Sequence, residues 1–477
     1  MQLDSNACYR AVRARDRRFD GRFYVGITST HIYCRPICTA RPANRKNMRF
    51  YSHAAAAEGA GFRPCLRCRP ERAPGLAPID AVSRLVGAAM AGIEEHALSS
   101  ARVGDLAASL GISDRHLRRV TEAELGVSPI ELAQTQRLLL AKRLLRDTAL
   151  DLTDIAFASG FGSVRRFNAL FKSRYGLSPR AIRGKSIDTD TLSVQLEFRP
   201  PLAWKSLLAY LRLRAIPGVE AADDTHYRRT VAIGAAKGWI AVSMHTGNAL
   251  NLELSPTLTP VIGAVIGRVK QLFDLGAAPD SVSMVLRQDE ILAATVRRLP
   301  GLRVAGAFDG FELAVRTVLG QQVSVEGAST LAGRWAQAYG EPIATPYPQL
   351  NRLSPSAERM TAVPAEQIAA LGMVGARARC LSILAQAVSQ RQIVLSYAAN
   401  VEEQIDSLMR LPGIGHWTAN YIAMRALHWP DAFPTGDLVL MRAAGSNQKQ
   451  LQQRSEAWRP WRAYAAHYLW QSSGVAP

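Results

Sequence analysis

The sequence predicts a multidomain α+β protein. It reads as a small metal-bound α/β domain, an all-α segment with two helix-turn-helix units, an α+β subdomain, and an all-α domain built round a tight helical hairpin. Three observations predict this. Cys34, Cys38, Cys65 and Cys68 crowd into 35 residues as C-x3-C and C-x2-C. A helical pattern with a central glycine returns at a 50-residue offset between positions 103 and 178. Beyond position 190, apolar/polar alternation gives way to a long helical stretch containing L-P-G-I-G-H-W at 411–417. The expected boundaries are 1–75, 80–185, 188–300 and 301–477.

The net charge of +19 is uneven: the first 75 residues hold 15 Lys and Arg against 5 Asp and Glu. Such a surplus suits a polyanion, and double-stranded DNA is the expected partner. No run of 18 apolar residues exists, so neither a membrane span nor a membrane partner is expected. The first 20 residues mix Arg, Asp and Asn without an apolar core, which is no secretory signal. The expected location is the cytoplasm, at the nucleoid. There, four close cysteines read as a metal site and not as disulfides.

In residues 1–75, short β-type runs at 23–27 and 48–51 flank turns rich in Pro and Gly. Four thiolates at these spacings can close a tetrahedron round one zinc ion, which adds folding energy to a domain with a small core. The four thiolates outweigh the metal's charge, so a ligand sulfur stays electron-rich and nucleophilic. Arginines at 35, 41, 45, 63, 67 and 69 surround the cluster and are expected to draw in a DNA backbone. Cys8 lies outside the cluster and reads as an incidental small residue. The strings Y-C-R-P-I-C-T-A-R at 33–41 and G-F-R-P-C-L-R-C-R-P-E at 61–71 resemble the N-terminal domain of the adaptive-response (Ada) regulators. The resemblance implies that Cys34, the first of the set, accepts a methyl group irreversibly from a methylphosphotriester. Methylation removes one negative charge, so the modified protein is expected to bind DNA more tightly.

A Pro/Ala/Gly linker at 72–78 ends this domain. A short helix at 103–110, a turn at Gly111 and an N-cap at Ser113 form the first helix-turn-helix. A helix from 152, Gly160 and Ser163 form the second, and G-V-S-P at 126–129 and G-L-S-P at 176–179 close the two. The duplication with these endings resembles the AraC-type DNA-binding domain. That resemblance places Arg115, Arg118 and Arg119, then Arg165, Arg166 and Asn168, on the recognition helices. An activator of this type also implies RNA polymerase as a partner.

Alternating runs at 192–198, 229–233, 239–244 and 250–254 predict an antiparallel sheet, and 261–273 reads as an amphipathic helix. Helices are expected near 311–325, 365, 376 and 402, and the chain closes with W-R-P-W-R-A-Y-A-A-H-Y-L-W at 458–470. At the hairpin, Gly413 and Gly415 allow a tight bend before a helix starting at His416. Amides at a helix start are unpaired and suit a phosphate. Asp437 follows a loop with Pro434 and Gly436.

The string L-P-G-I-G-H-W-T-A-N-Y at 411–421 with its spaced aspartate resembles the helix-hairpin-helix glycosylase superfamily, and within it DNA-3-methyladenine glycosylase II. This implies hydrolysis of the bond between sugar and alkylated base, with Asp437 as catalytic carboxylate and Asp431 as its rival. It implies a base pocket of Trp417, Tyr421 and Trp470, whose π faces attract a cationic purine. The resemblance also implies that amides near Gly413 and Gly415 grip the DNA backbone and that the family's gap-filling wedge maps to Gln322, a polar residue where some members are apolar. Strand-cutting relatives carry a lysine where Trp417 stands, so no Schiff-base chemistry is expected. One cysteine, Cys380, lies in this half, so no iron–sulfur cluster is expected. The Ada family's second methyltransferase motif, P-C-H-R, is absent from the sequence. The alternative is a transcription regulator with a structural zinc site and a non-catalytic glycosylase remnant. That reading predicts loss of Asp437 or the pocket aromatics, and the sequence keeps both.

Overall fold

Tyr33 and Pro64 stand side by side, and this pairing shapes the N-terminal region of the computed structural model. Residues 4–75, 83–96, 103–184, 191–397 and 400–472 are described. The linker's end and the expected boundaries at 80, 185, 188 and 477 lie outside them. The first sheet holds β1 (Tyr24–Ile27), β2 (Ile32–Cys34), β3 (Met48–Tyr51) and β4 (Arg63–Pro64) in the order β3-β1-β2-β4. β1 runs antiparallel to β2 and β3, whereas β2 and β4 are parallel. The Cys65 amide donates to the Tyr33 carbonyl at 3.0 Å, so Cys34 and Cys65 leave adjacent strands together. Gly26 is required here, because a Cβ on it would lie 2.9 Å from the rings of Phe62 and Tyr51. Cys8, on the helix Ser5–Ala14, packs with Phe23, Val25 and Met48 in the core.

The two helix-turn-helix units repeat their local chemistry. Ser113 caps Asp114–Leu125 by accepting from the His116 amide, and Ser163 caps Val164–Tyr175 by accepting from the Arg166 amide. Gly111 and Gly160 turn with φ of +69° and +80°. Gly126 and Gly176 end the two recognition helices in the left-handed conformation. The helix Pro129–Asp147 joins the units and starts with a Ser128/Glu131 capping box.

The chain divides into two compact units. The first holds Met1–Pro200, His245–Lys270 and Leu275–Ala277, and the second holds Pro201–Met244, Gln271–Asp274 and Ala278–Pro477. Five further strands follow: β5 (Leu192–Glu197), β6 (Glu220–Ala222), β7 (His226–Ile233), β8 (Ala236–Met244) and β9 (Ala249–Leu254). In the first unit β5 pairs antiparallel with β9. In the second, β6, β7 and β8 form an antiparallel meander. The alternation was legible for four of these strands, but not for β6 or for the helix Trp204–Leu213. The second unit is otherwise helical, through Gly310–Leu319, Val325–Tyr339, Gly375–Ser389, Val401–Met409, His416–Arg425 and Arg462–Ser472. Pro279–Leu286 and Glu290–Arg298 are helices that the pattern did not reveal. No helix among the described residues is long and apolar enough to cross a membrane.

Within the first unit, the helix Pro129–Asp147 carries a buried ion cluster. Lys142 pairs with Glu71, each side chain 1% exposed, and also donates to the Cys65 carbonyl at 3.2 Å. Arg69 bridges Glu71 at 2.7 Å and Asp147 at 2.6 Å. Burial works against charge on Glu71, but Lys142 and Arg69 overcome it and bring the carboxyl down to about 2. Burial also lowers Lys142. Each member of the pair has a further polar partner, the Cys65 carbonyl for Lys142 and Arg69 for Glu71. Glu71→Gln leaves Lys142 buried without its counter-charge and should cost about 3–5 kcal/mol. The folded carboxyl titrates below the ordinary 4.5, so the stabilisation is full above that pH and fades as pH falls toward about 2. Urea melts of wild type and variant followed by far-ultraviolet dichroism, at pH 7 and at pH about 3, check both points.

Candidate active site and metal centre

The helix Val401–Met409 ends before a turn in which Gly413 adopts φ +92°. A Cβ at Gly413 would lie 3.2 Å from Cys380 Cβ, so both conformation and packing require glycine there. Gly415 differs: its φ is −91° and a Cβ would meet nothing within 4 Å. It is the N-cap of His416–Arg425 and has no side-chain cap. Gly415 and His416, at the start of that helix, are exposed. Ile414 is buried below the turn, while Gly413 and Gly415 are exposed.

The aromatic and acidic residues expected to form a pocket come together here. Trp417 and Tyr421, one helical turn apart, stack with centroids 5.2 Å apart and planes 11° from parallel. Trp470, on Arg462–Ser472, meets Tyr421 at 6.2 Å. Asp437 joins them: its Oδ2 accepts from Trp417 Nε1 at 2.9 Å, and its Oδ1 lies 3.4 Å from Trp470 Nε1. Oδ1 also accepts from the Leu440 amide at 2.9 Å, capping Leu438–Ala443. The carboxylate is thus held from three sides yet remains partly exposed. Asp431 is differently placed. It is 7% exposed, bridges Arg462 at 2.8 Å and pairs with Arg459, so its carboxylate is already engaged.

Gln322 sits exposed in the turn between Gly310–Leu319 and Val325–Tyr339 with φ +57°, uncommon for a residue with a Cβ. Its neighbour Gln321 fastens the turn. The Gln321 Nε2 donates to the Gly413 carbonyl at 2.8 Å and to Thr418 Oγ1 at 3.1 Å, while its carbonyl accepts from Arg377 at 2.5 Å. Sequence reading missed Gln321. It missed Tyr210 as well, whose hydroxyl lies 2.7 Å from that of Tyr421. Arg425, which donates to the Tyr421 hydroxyl at 3.2 Å, follows Tyr421 by one helical turn, and that spacing was a usable signal.

In the first unit the sulfurs of Cys34, Cys38, Cys65 and Cys68 all lie within 4.8 Å of one another. The Arg35 amide points at Cys68 Sγ and the Arg67 amide at Cys65 Sγ, each at 3.3 Å, as suits thiolates. Four sulfur donors with amides turned toward them fit zinc. Two of the surrounding arginines correct the expectation of a DNA-facing ring. Arg35 is 1% exposed and pairs with Asp20 and, at 2.7 Å, with Glu197. Arg69 is taken up by Glu71 and Asp147. Arg41 and Arg67 are exposed. On the recognition helices Arg115, Arg118, Arg119, Arg165 and Arg166 are exposed and Asn168 is half-buried.

Comparisons with known proteins follow this layout. Family models match as the metal binding domain of Ada at 7–71, a helix-turn-helix domain at 106–185, the AlkA N-terminal domain at 193–309, and the HhH-GPD superfamily of base excision DNA repair proteins at 315–457. A 3-methyladenine DNA-glycosylase from Archaeoglobus fulgidus shares the fold with a TM-score of 0.51 at 18% identity, covering 59% of this chain and 98% of that one. Together they define a base-excision protein of the helix-hairpin-helix class, fused to an Ada-type metal-binding domain and a helix-turn-helix. A probable bifunctional transcriptional activator/DNA repair enzyme AlkA of Mycobacterium tuberculosis is 36% identical over 98% of this chain and 97% of its own length. The DNA-3-methyladenine glycosylase 2 of Escherichia coli is 36% identical over 59% of this chain and 98% of its own length. The chain belongs to the family of bifunctional transcriptional activator/DNA repair enzymes of the AlkA type.

Gln321→Ala removes both side-chain bonds from the turn to the hairpin. Unfolding of the second unit should become easier by about 1 kcal/mol. Amide exchange should quicken at 320–324 and 413–418 together. All eight tryptophans lie beyond position 200, so a urea melt read by their fluorescence reports on this region.

Proposed function

We propose that the chain repairs alkylated DNA as a monofunctional glycosylase, releasing bases such as 3-methyladenine by hydrolysis. The observation that carries this reading is Asp437, held by two pocket indoles and a helix amide while still reached by solvent. The base enters against Trp417, Tyr421 and Trp470, and π faces attract its positive charge. As the glycosidic bond breaks, positive charge develops on the sugar. Asp437 stabilises that charge and orients the water that completes hydrolysis. An alkylated base leaves without much acid help, so tolerance for several such bases follows.

DNA is gripped at the hairpin. Gly415 has open space where a Cβ would sit, which allows a phosphate to approach the amides that follow. Gln322 stands exposed in its turn and fills the gap left by the flipped nucleotide. Gln321 keeps that turn in step with the hairpin.

The N-terminal part accepts a methyl group from a methylphosphotriester. The Cys34 sulfur attacks the methyl carbon, an S–C bond forms, the C–O bond breaks, and an ordinary phosphodiester leaves. Cys34, Cys38, Cys65 and Cys68 hold one zinc ion, which supplies folding energy and keeps the sulfurs deprotonated. Loss of one negative charge then strengthens DNA binding through Arg115, Arg118, Arg119, Arg165, Arg166 and Asn168. The regulator's partner is RNA polymerase, and the protein works in the cytoplasm at the nucleoid. We place the domains at 1–75, 80–185, 188–300 and 301–477; the family models span 7–71, 106–185, 193–309 and 315–457.

Asp437→Asn keeps an acceptor for the Leu440 amide, so folding should persist. Base release from methylated duplex DNA should fall about a hundredfold or more. Release at the wild-type rate removes Asp437 from the reaction. After exposure to DNA bearing methylphosphotriesters, peptide mass analysis should find one methyl group on Cys34 and none on Cys38, Cys65 or Cys68. Transfer that persists in Cys34→Ala overturns the assignment.

A further inference from the structure

Gln322 stands in the left-handed region with φ +57°, where a Cβ crowds the backbone. The peptide group that precedes it is fixed from outside its turn. The carbonyl of that group belongs to Gln321 and accepts from Arg377 at 2.5 Å; Arg377 lies on the helix Gly375–Ser389, 56 positions further on. The Gln321 side chain reaches a second place, the hairpin, where it donates to the Gly413 carbonyl and to Thr418 Oγ1. A third contact closes the triangle. Cys380, on the same helix as Arg377, packs beneath Gly413, where a Cβ would lie 3.3 Å from its sulfur.

The start of Gly375–Ser389 is itself seated by the helix that follows Gln322. Arg334, on Val325–Tyr339, donates to the Leu371 carbonyl at 3.0 Å. Gly372 has φ +100° and passes so close that a Cβ would lie 2.8 Å from the same guanidinium. Three turns are therefore fastened to one another: the turn of Gln322, the hairpin turn, and the turn before Gly375. Gln322, Val323, Val374, Gly375, Gly413 and Gly415, which lie in them, are all exposed.

We propose that Arg377 is a positioning residue for base extrusion: through the Gln321 carbonyl it keeps Gln322 in the conformation from which its side chain enters the gap. This rests on the glycosylase reading above, with Gln322 as the wedge. The angle φ of Gln322 is rotation about the bond from its own nitrogen to its Cα. That nitrogen belongs to the planar peptide group that Arg377 holds. A charged donor makes the stronger kind of hydrogen bond to a carbonyl. A conformation that the free chain disfavours is thus in place before DNA arrives, and extrusion does not have to create it.

The role is confined to extrusion, and hydrolysis at Asp437 is served by other residues. Extrusion is hardest for a well-paired base and easiest for one that lacks a pairing partner. Loss of the clamp is therefore felt on the first kind of substrate and not on the second. Loss of a phosphate contact, or of general structure, is felt on both.

The test uses the full chain as wild type, Arg377→Met, Arg377→Lys, Gln322→Ala and the double variant Arg377→Met with Gln322→Ala, each checked for folding by dichroism. Arg377→Gln, with a shorter and neutral donor, repeats the comparison should Arg377→Met not fold. kcat/KM is measured on duplexes carrying 7-methylguanine opposite either cytosine or an abasic site. A 2-aminopurine beside the lesion reports extrusion without hydrolysis. Arg377→Met should lose about tenfold on the paired lesion and little opposite the abasic site. Its 2-aminopurine signal should weaken on the paired duplex alone. Arg377→Lys, which keeps a charged donor, should recover most of the loss. In the Gln322→Ala background, Arg377→Met should cost little more. Equal losses on the two duplexes overturn the proposal, and so do additive losses in the double variant. A salt slope lowered by about one in Arg377→Met also overturns it, as the mark of a phosphate contact. Failure of wild type to release the base from either duplex overturns the glycosylase reading instead. The 2-aminopurine signals then still decide the clamp, since equal signals from wild type and Arg377→Met overturn it.

Discussion

The hydrogen bond from Trp417 Nε1 to Asp437 Oδ2, 2.9 Å long, is the constraint around which the second unit's site is arranged. It ties a residue of the hairpin helix to the cap of another helix. Asp437 cannot turn away without leaving three donors, the two indoles and the Leu440 amide, short of an acceptor. The same bond fixes the plane of the Trp417 ring, and Tyr421 stacks on that ring one turn later. The stacked aromatic rings and the carboxylate beside them are therefore one rigid object, and a carboxylate held in advance is what charge stabilisation without reorganisation needs. A lysine in place of Trp417 would supply neither the indole donor nor the stacking surface.

In the first unit the corresponding constraint is backbone pairing. Two residues of parallel strand are a weak element on their own. Here the register is backed by Phe62 and Tyr51 closing over Gly26 and by the Lys142–Glu71 pair, whose lysine also donates to the Cys65 carbonyl. A four-sulfur site is thereby anchored to the helix Pro129–Asp147. Buried ion pairs add little net stability, but breaking one is costly, so they enforce a single arrangement. That use explains why Arg35 and Arg69, which a linear reading assigns to DNA, face inward.

Much of the site was legible because its parts are local. Cysteine spacings, the glycine of each turn, the serine caps and the Trp417–Tyr421 step all depend on residues within about one helical turn of each other. Gly413 illustrates this well, since its φ of +92° is a property that only glycine tolerates easily. What stayed hidden was long-range. Tyr210 precedes Tyr421 by 211 positions, and no pattern in either segment announces the contact. Gln321 carried no signal of its own in the sequence; the fold turned it toward the hairpin and left Gln322 exposed.

The sequence by itself determined the class of each part, the metal-type cluster and the aspartate's neighbourhood, because turn chemistry, periodicity and ligand spacing act over short stretches. Tertiary structure alone decided which of two aspartates is tied up by arginines, which arginines are buried, and which hydroxyl meets that of Tyr421. Those outcomes depend on which helices pack together. Packing sums many weak contacts across distant segments, and no single stretch of sequence carries that sum.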